Sequence, residues 1–223
     1  SVAVMMLFEE GHYLLSDPVS DHLPELQGLR VYVDGPEDNP VLEDVQRMLT
    51  IGDLLCHTGG LSYGQDTQHA VDRLYQNSRL FRRDGNIADM VTRLAELPLK
   101  FQPGTHWEYS IAHDVLGRLV EVVSGLSFAE FLQSRIFAPL NMPDTSFEVP
   151  QHKLDRLAGL YRPSTSGGIE PEEEAEALVR FVSPVTFFAG GEGLVSTLPD
   201  CFRFLQMLHK GGELDGVRYL DPK

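Results

Sequence analysis

The chain has 223 residues, of which 42% are hydrophobic and 23% are charged, and its formal net charge is −15. This composition is that of a globular protein with a core of its own. The acidic balance argues against nucleic acid as a partner, because phosphate groups call for Lys and Arg. The longest apolar run, residues 2–8, is far shorter than the roughly 20 residues of a membrane span. We therefore expect neither nucleic-acid binding nor a membrane-spanning segment.

Helical patterns dominate the first two thirds of the chain. Residues 1–10 are apolar on nearly every face, which is typical of a helix buried in a core. Thr50, with Asp53 three positions later, forms a capping-box pattern that predicts the start of a second helix. The other elements predicted in this part are, in order, a short strand over 31–33, helices over 84–96 and 110–124, and a helix capped by Ser127.

The last third of the chain has a more strand-like pattern. Strands are predicted over Thr145–Val149, Leu157–Tyr161 and Phe181–Phe188. A helix is predicted over Asp200–His209, followed by a turn into a hairpin over 211–217.

Cysteine and histidine patterns give no sign of a metal site or a disulfide framework. Cys56 and Cys201 each lie in an apolar stretch, so we predict buried free thiols. The eight histidines form no HExxH or HxxxH pair. We therefore expect no metal and no other cofactor, and the lack of disulfides slightly favours the cytoplasm.

Residues 60–64 match the pattern Gly-x-Ser-x-Gly, which places a nucleophilic serine in α/β-hydrolases. That serine works at a sharp turn between a strand and a helix. Here the preceding residues, 51–57, have a helical pattern, and residues 65–70 are polar. The sequence therefore favours a tight turn at Ser62, and the alternative of an α/β-hydrolase would require a strand before Gly60 and a helix after Gly64.

Five segments, in order and at reasonable spacing, resemble those of a known family. They are LTIGDLLCHTGGL (49–61), FQPGTHWEYS (101–110), the helix from Asp114 through Gly125, IFAPLNMPDT (136–145) and GGEGLVST (190–197). Together they resemble the serine β-lactamase and penicillin-binding-protein family, and most closely its family VIII carboxylesterases. Each segment alone is a weak signal, whereas the ordered set is specific.

This resemblance implies an α+β fold of the β-lactamase/transpeptidase type. The chain would contain mostly the helical sub-domain, with an incomplete antiparallel sheet, so that residues 1–223 form one partial domain truncated at both ends. Apolar surface that would meet the missing strands is then expected to be exposed or covered. Covering that surface would produce a homo-oligomer.

Members of the family build their site from three elements: Ser-x-x-Lys, a Tyr-Ser/Ala-Asn type motif, and Lys-Thr-Gly or a Gly-containing variant. The second element corresponds here to Tyr109-Ser110-Ile111. The resemblance implies that Tyr109 is a general base or acid, and that Ser110 and Ile111 line the substrate pocket. Ile111 departs from the Asn of true β-lactamases, which favours simple esters as substrates.

The first and third elements do not occur in the chain. The residues three positions before the four lysines are Leu97, Pro150, Met207 and Leu220, so no Ser-x-x-Lys is present. By resemblance, residues 1–7 are the body of the helix that carries this motif, and the nucleophile would lie a few residues upstream of Ser1. Lys210-Gly211-Gly212 looks like the third element, but its pattern is that of a helix end and a turn.

The sequence thus predicts part of a serine hydrolase that acts through an acyl-enzyme on small carboxylic esters and is inactive as given. The substrate partner would be a small-molecule ester. Two alternatives stay open: a β-lactamase, D-Ala-D-Ala carboxypeptidase or acyltransferase of the same fold, and a non-catalytic binding protein derived from it.

Overall fold

The structure is a computed structural model that describes residues 1–82, 85–171, 181–182 and 184–222. Its α-helices are α1 (Val2–Glu9), α2 (Ile51–Cys56), α3 (Ala70–Asn77), α4 (Ile87–Leu94), α5 (Ala112–Ser124), α6 (Phe128–Leu132) and α7 (Leu198–His209). Shorter 3-10 segments lie over Val19–Asp21, Pro24–Gly28 and Gln151–Arg156, and a π-helical turn over Gln133–Phe137 extends α6.

The strands of the described residues form three antiparallel pairs and no larger sheet. They are β1 (Arg30–Asp34) with β2 (Val41–Asp44), β3 (Tyr161–Pro163) with β4 (Ile169–Pro171), and β5 (Glu213–Leu214) with β6 (Val217–Arg218). The predicted architecture, a helical sub-domain with an incomplete antiparallel sheet, is therefore confirmed. The last pair also confirms the hairpin predicted over 211–217.

Helix α5 lies at the centre of the helical core, where it packs against α1, α2, α4 and α6. Its apolar stripe is fully buried at Val115, Leu119 and Val120. It ends where Gly125 adopts a left-handed backbone (φ +72°), a conformation that glycine enters without a steric penalty. The helix predicted over 110–124 thus begins two residues late, at Ala112, and ends where expected.

The strands predicted in the last third of the chain are mostly wrong. Of Thr145–Val149, only Ser146 pairs, in an isolated bridge with Val195. Of Leu157–Tyr161, only Tyr161 lies in a strand, and the described part of Phe181–Phe188 contains none. Phe147 packs against the rings of Phe128 and Phe188, whereas Leu160 and Tyr161 are exposed. Among the described residues, these segments do not form a shared hydrogen-bond ladder.

The prediction of buried thiols is also wrong, because Cys56 and Cys201 are both exposed, although both are free. Cys201 lies on the outer face of α7, which also presents Leu198, Phe202 and Leu205 to solvent, with exposed fractions of 87%, 63% and 60%. This face is exposed apolar surface of the kind predicted. Assembly through it stays a prediction. Within the described part of the chain, no helix is both long enough and apolar enough to cross a bilayer.

The capping box at the start of α2 forms as predicted and is reinforced by an ion pair. Thr50 Oγ1 accepts from Asp53 N at 3.1 Å, and Arg47 donates to both carboxylate oxygens of Asp53 at 2.6 and 2.8 Å. Burial alone would raise the pKa of Asp53. Hydrogen bonds from Arg47, Thr50 and Thr58 outweigh it and lower the pKa to about 2.

We expect Asp53→Asn to lower the free energy of unfolding by about 2 kcal/mol near neutral pH. Because the folded pKa of Asp53 lies below its ordinary value, its contribution is present above about pH 4 and is lost as the pH falls towards 2. Urea unfolding of wild type and variant from pH 7 to pH 3 measures this. Asp89, which makes the same box on α4 from an exposed position, is the matched control, and Asp89→Asn should cost about 0.5–1 kcal/mol. Equal losses at both sites would contradict the role of the Arg47 ion pair.

Candidate active site

The predicted site residues lie on the segment that leads into α5, and they differ sharply in exposure. Tyr109 is 51% exposed, whereas Ser110 is 2% and Ile111 is 0% exposed. Of the three, only Tyr109 presents its side chain to solvent. Ile111 points into the interior, where it lines a cavity of about 220 Å³ together with Tyr63 and Phe81. The roles assigned to all three residues stay predictions.

The segment 108–110 rests on the turn that follows α2. This turn begins at His57, whose backbone is left-handed (φ +57°), and passes through Gly60 (φ +82°). A Cβ atom at Gly60 would lie 2.4 Å from the carbonyl oxygen of Phe101, so only glycine allows the two backbones to meet. The amide of Lys100 donates to the Gly60 carbonyl at 2.7 Å, which joins the turn to the loop that carries Tyr109.

Hydrogen bonds and ion pairs anchor both sides of Tyr109. Glu108 N donates to the carbonyl oxygen of His57 at 3.0 Å, and Ser110 N donates to His57 Nδ1 at 3.2 Å. Lys100 Nζ lies 2.7 Å from Glu108 Oε1 and 2.6 Å from Oδ2 of the buried Asp72. Burial alone would lower the pKa of Lys100, but these two carboxylates outweigh it and raise the pKa. Lys100 therefore stays charged and ties the loop to α3.

Ser62 is part of this scaffold and not an accessible nucleophile. It is 1% exposed, its hydroxyl donates to the carboxylate of Asp72, and it accepts from Gly64 N at 2.9 Å. Helix α2 precedes the turn, and α3 begins only at Ala70. The predicted tight turn is confirmed, and the α/β-hydrolase alternative is wrong because helix α2, not a strand, leads into the turn at Gly60.

Aromatic rings surround Tyr109. The centroid of its ring lies 4.9 Å from that of His57 and 5.2 Å from that of Tyr63. His113, in the first turn of α5, lies 4.8 Å from His57, and its Nε2 is 3.1 Å from Ser1 Oγ. The N-terminal end of α1 therefore reaches the ring cluster around Tyr109.

Both histidines of the cluster are uncharged near neutral pH. Burial lowers the pKa of His57. Burial also lowers the pKa of His113, to about 4. Sequence reasoning did not single out either residue. Both lie within or beside segments that carry the family resemblance, but spacing along the chain does not show that the two rings meet.

The Gly190-Gly191 pair forms the far wall of the site. Gly191 N donates to Asp114 Oδ1 at 3.1 Å, and the hydroxyl of Tyr63 donates to Asp114 Oδ2 at 3.4 Å. Burial raises the pKa of Asp114, although these hydrogen bonds oppose the shift. Asp114 thus links the GGxGLxST segment to a ring that packs against Tyr109.

Lys210 lies at the end of a helix and not on a strand, as the third element of the family would require. It is exposed at the C-terminal end of α7 and is followed by the turn into β5. The prediction that Lys210-Gly211-Gly212 ends a helix is confirmed. Among the described residues, no group of three or more His, Cys, Asp or Glu side chains is arranged to hold a metal ion.

The helical core, the segment Tyr109-Ser110 leading into α5 and the glycine pair against its first turn define a protein of the serine β-lactamase and penicillin-binding-protein class. Residues 1–221 match the family model described as Beta-lactamase. The chain therefore belongs to the Beta-lactamase family, and the resemblance inferred from the sequence is confirmed.

Individual relatives agree with this assignment. Protein Rv1367c of Mycobacterium tuberculosis is 35% identical over 99% of this chain and 54% of its own length. Esterase EstB of Burkholderia gladioli is 30% identical over 93% of this chain and 54% of its own length. The unliganded structure of simvastatin synthase (LovD) from Aspergillus terreus superposes with a TM-score of 0.75 at 27% identity, over 99% of this chain and 51% of that one. The chain thus spans about half the length of the relatives it matches.

Proposed function

We propose that this chain forms part of a serine hydrolase that cleaves small carboxylic esters through an acyl-enzyme, with Tyr109 as the general base and acid. The observation that carries the proposal is the setting of Tyr109. It is the one member of its motif that is open to solvent, its backbone is anchored on both sides, and the N-terminal end of α1 reaches the cluster of rings around it. Esterase EstB, which is similar over nearly the whole chain, carries the word esterase in its name.

The nucleophile in this proposal is the serine of a Ser-x-x-Lys motif that precedes Ser1 in a longer protein. A serine hydroxyl is a poor nucleophile until a neighbouring group takes its proton. Tyr109 would accept that proton as the serine oxygen attacks the ester carbonyl, and would return it to the departing alcohol. Water would then cleave the acyl-enzyme by the same exchange in reverse, which releases the acid and restores the serine.

Ile111 supports esters over β-lactams within this proposal. An Asn at this position would offer an amide group to the polar side chain of a β-lactam, whereas Ile111 offers only apolar surface. Its side chain and that of Phe81 belong to the apolar part of a cavity that Gln76 and Arg79 also line, and this apolar part would meet the acyl group.

Labelling with a fluorophosphonate, which reacts with activated serines, tests the proposal. We expect no adduct in the intact mass of residues 1–223, and one adduct in the full-length protein at the serine of a Ser-x-x-Lys motif before Ser1. The full-length protein should also cleave p-nitrophenyl butyrate faster than the β-lactam nitrocefin. A single adduct at Ser62 would overturn the assignment, and an unlabelled full-length protein would favour a non-catalytic binding protein.

Acyl transfer to an acceptor other than water is the second candidate. The name simvastatin synthase describes a synthetic reaction, and that protein matches nearly the whole chain. Tyr109 is half exposed, so an acceptor alcohol could reach its hydroxyl from solvent. Adding a primary alcohol to the p-nitrophenyl butyrate reaction and measuring ester against free acid by chromatography separates transfer from hydrolysis.

A further inference from the structure

We propose that His57 is a positioning residue that fixes Tyr109 by holding the residues on both sides of it. This inference rests on the proposed function, because it assigns His57 a task in the acid-base step of Tyr109. It differs from a capping role alone, since a helix cap needs only the backbone of His57, whereas the positioning role needs one particular ring nitrogen.

The backbone of His57 is itself held firmly. His57 ends α2, and its amide donates to the carbonyl of Leu54 at 3.4 Å while the next amide, of Thr58, donates to that of Asp53 at 2.9 Å. Helix α2 is fixed at its other end by the capping box and is anchored in the core by Ile51 and Leu54, which are fully buried. His57 therefore offers a rigid reference point for the loop above it.

His57 accepts two hydrogen bonds, one from each residue beside Tyr109. The carbonyl oxygen of His57 accepts from Glu108 N at 3.0 Å, and its Nδ1 accepts from Ser110 N at 3.2 Å. The His57 ring also contacts the Tyr109 ring at a centroid distance of 4.9 Å. With both neighbouring amides held by His57, the backbone of Tyr109 cannot rotate without breaking at least one hydrogen bond.

The bond from Ser110 N specifies the state of the ring. A ring nitrogen that accepts an N–H must be unprotonated, so the proton of neutral His57 is on Nε2. The hydroxyl of Ser110, 3.3 Å from Nδ1, is then a second donor to the same nitrogen. The titratable side chains whose rings contact the His57 ring are His113 on α5 and Tyr109 on the loop. Protonation of His57 would place an N–H at Nδ1 opposite the N–H of Ser110. The hydrogen bond that holds Ser110 would then be lost.

Two variants separate the acceptor from the backbone geometry. Both His57→Gly and His57→Asn tolerate the left-handed backbone at this position. Gly removes the acceptor, whereas Asn places its side-chain oxygen near the position of Nδ1 and restores it. The difference between the two variants therefore reports the hydrogen bond to Ser110.

The first measurement is made on ¹⁵N-labelled residues 1–223. We expect a scalar coupling across the hydrogen bond between Ser110 N and His57 Nδ1, and ring ¹⁵N shifts of the Nε2–H tautomer. The second is made on the full-length protein with p-nitrophenyl butyrate. We expect kcat to fall about 10²-fold in His57→Gly with KM within about threefold, and His57→Asn to recover kcat to within about fivefold of wild type. If His57→Gly does not fold, His57→Gln replaces it, since its polar end reaches the Nε2 position and not that of Nδ1.

The outcomes are distinguishable from failure of the proposed function. A wild-type protein that neither reacts with the fluorophosphonate nor cleaves the ester would exclude the proposed function, regardless of the role of His57. An active wild type whose kcat is unchanged in His57→Gly, or a ring found as the Nδ1–H tautomer, overturns the positioning role alone. A kcat that falls equally in the Gly and Asn variants also overturns it, because the acceptor would then have no specific effect.

Discussion

Replacing Tyr109 by phenylalanine in the full-length protein is expected to lower kcat/KM for p-nitrophenyl butyrate by about 10³-fold. The change removes one hydroxyl group and keeps the ring. General acid-base catalysis by a positioned side chain contributes roughly 10²–10⁴-fold, and in the proposed mechanism Tyr109 serves in both acylation and deacylation. Since the side chain is half exposed and its contacts with His57 and Tyr63 are made by the ring, the fold should not change.

Steady-state kinetics with a thermal melt of each variant provide the measurement. Tyr161→Phe is the matched control, because Tyr161 is also largely exposed but lies in the β3–β4 hairpin. It should leave kcat/KM within about twofold of wild type. If Tyr109→Phe retains more than a fifth of the wild-type kcat/KM, the tyrosine hydroxyl takes no part in the rate-limiting proton transfer, and another base must be sought.

Local signals in the sequence predicted the helical part of the fold well. The capping boxes at Thr50 and Ser127 form as the pattern requires, because such a box involves only four consecutive residues. The apolar stripe of α5 and the glycine after it likewise depend on local spacing. The strand predicted over 31–33 lies in β1. The strands predicted over 145–149, 157–161 and 181–188 failed because a strand also needs a partner, and β-propensity alone cannot show whether one is near.

The candidate site divides along the same line. Tyr109 could be predicted because it lies in a short motif, and the structure leaves its side chain accessible. The residues that fix it could not, since His57 meets Ser110 across 53 positions and Asp114 meets Gly191 across 77. The family resemblance covers the segments that contain these residues but does not show why they lie together. The geometry supplies that reason: each segment holds one side of the loop or helix that presents Tyr109.

Adding a side chain at Gly190 is expected to destabilise the fold strongly. We expect Gly190→Ala to lower the free energy of unfolding by about 3 kcal/mol, which corresponds to a fall in Tm of roughly 6–12 °C for a protein of this size. A Cβ atom at position 190 would lie 1.8 Å from the carbonyl oxygen of His113 and 3.1 Å from the amide nitrogen of Asp114. These are backbone atoms of the first turn of α5. That turn cannot shift easily, because Ala112 and Val115 on either side are buried in the core.

Gly28→Ala is the matched control, since a Cβ atom there has no neighbour within 4 Å and the backbone is not left-handed. It should leave Tm unchanged or raise it slightly, because alanine restricts the unfolded chain more than glycine does. Thermal and urea unfolding of both variants measure the difference. Gly190→Ala should also displace Gly191, whose amide donates to Asp114. The NMR resonance of the Gly191 amide should therefore shift in Gly190→Ala and stay unchanged in Gly28→Ala. If both variants melt together with wild type, the 190–193 segment does not rest on α5 as described, and the wall that it gives the site would have to be assigned to other residues.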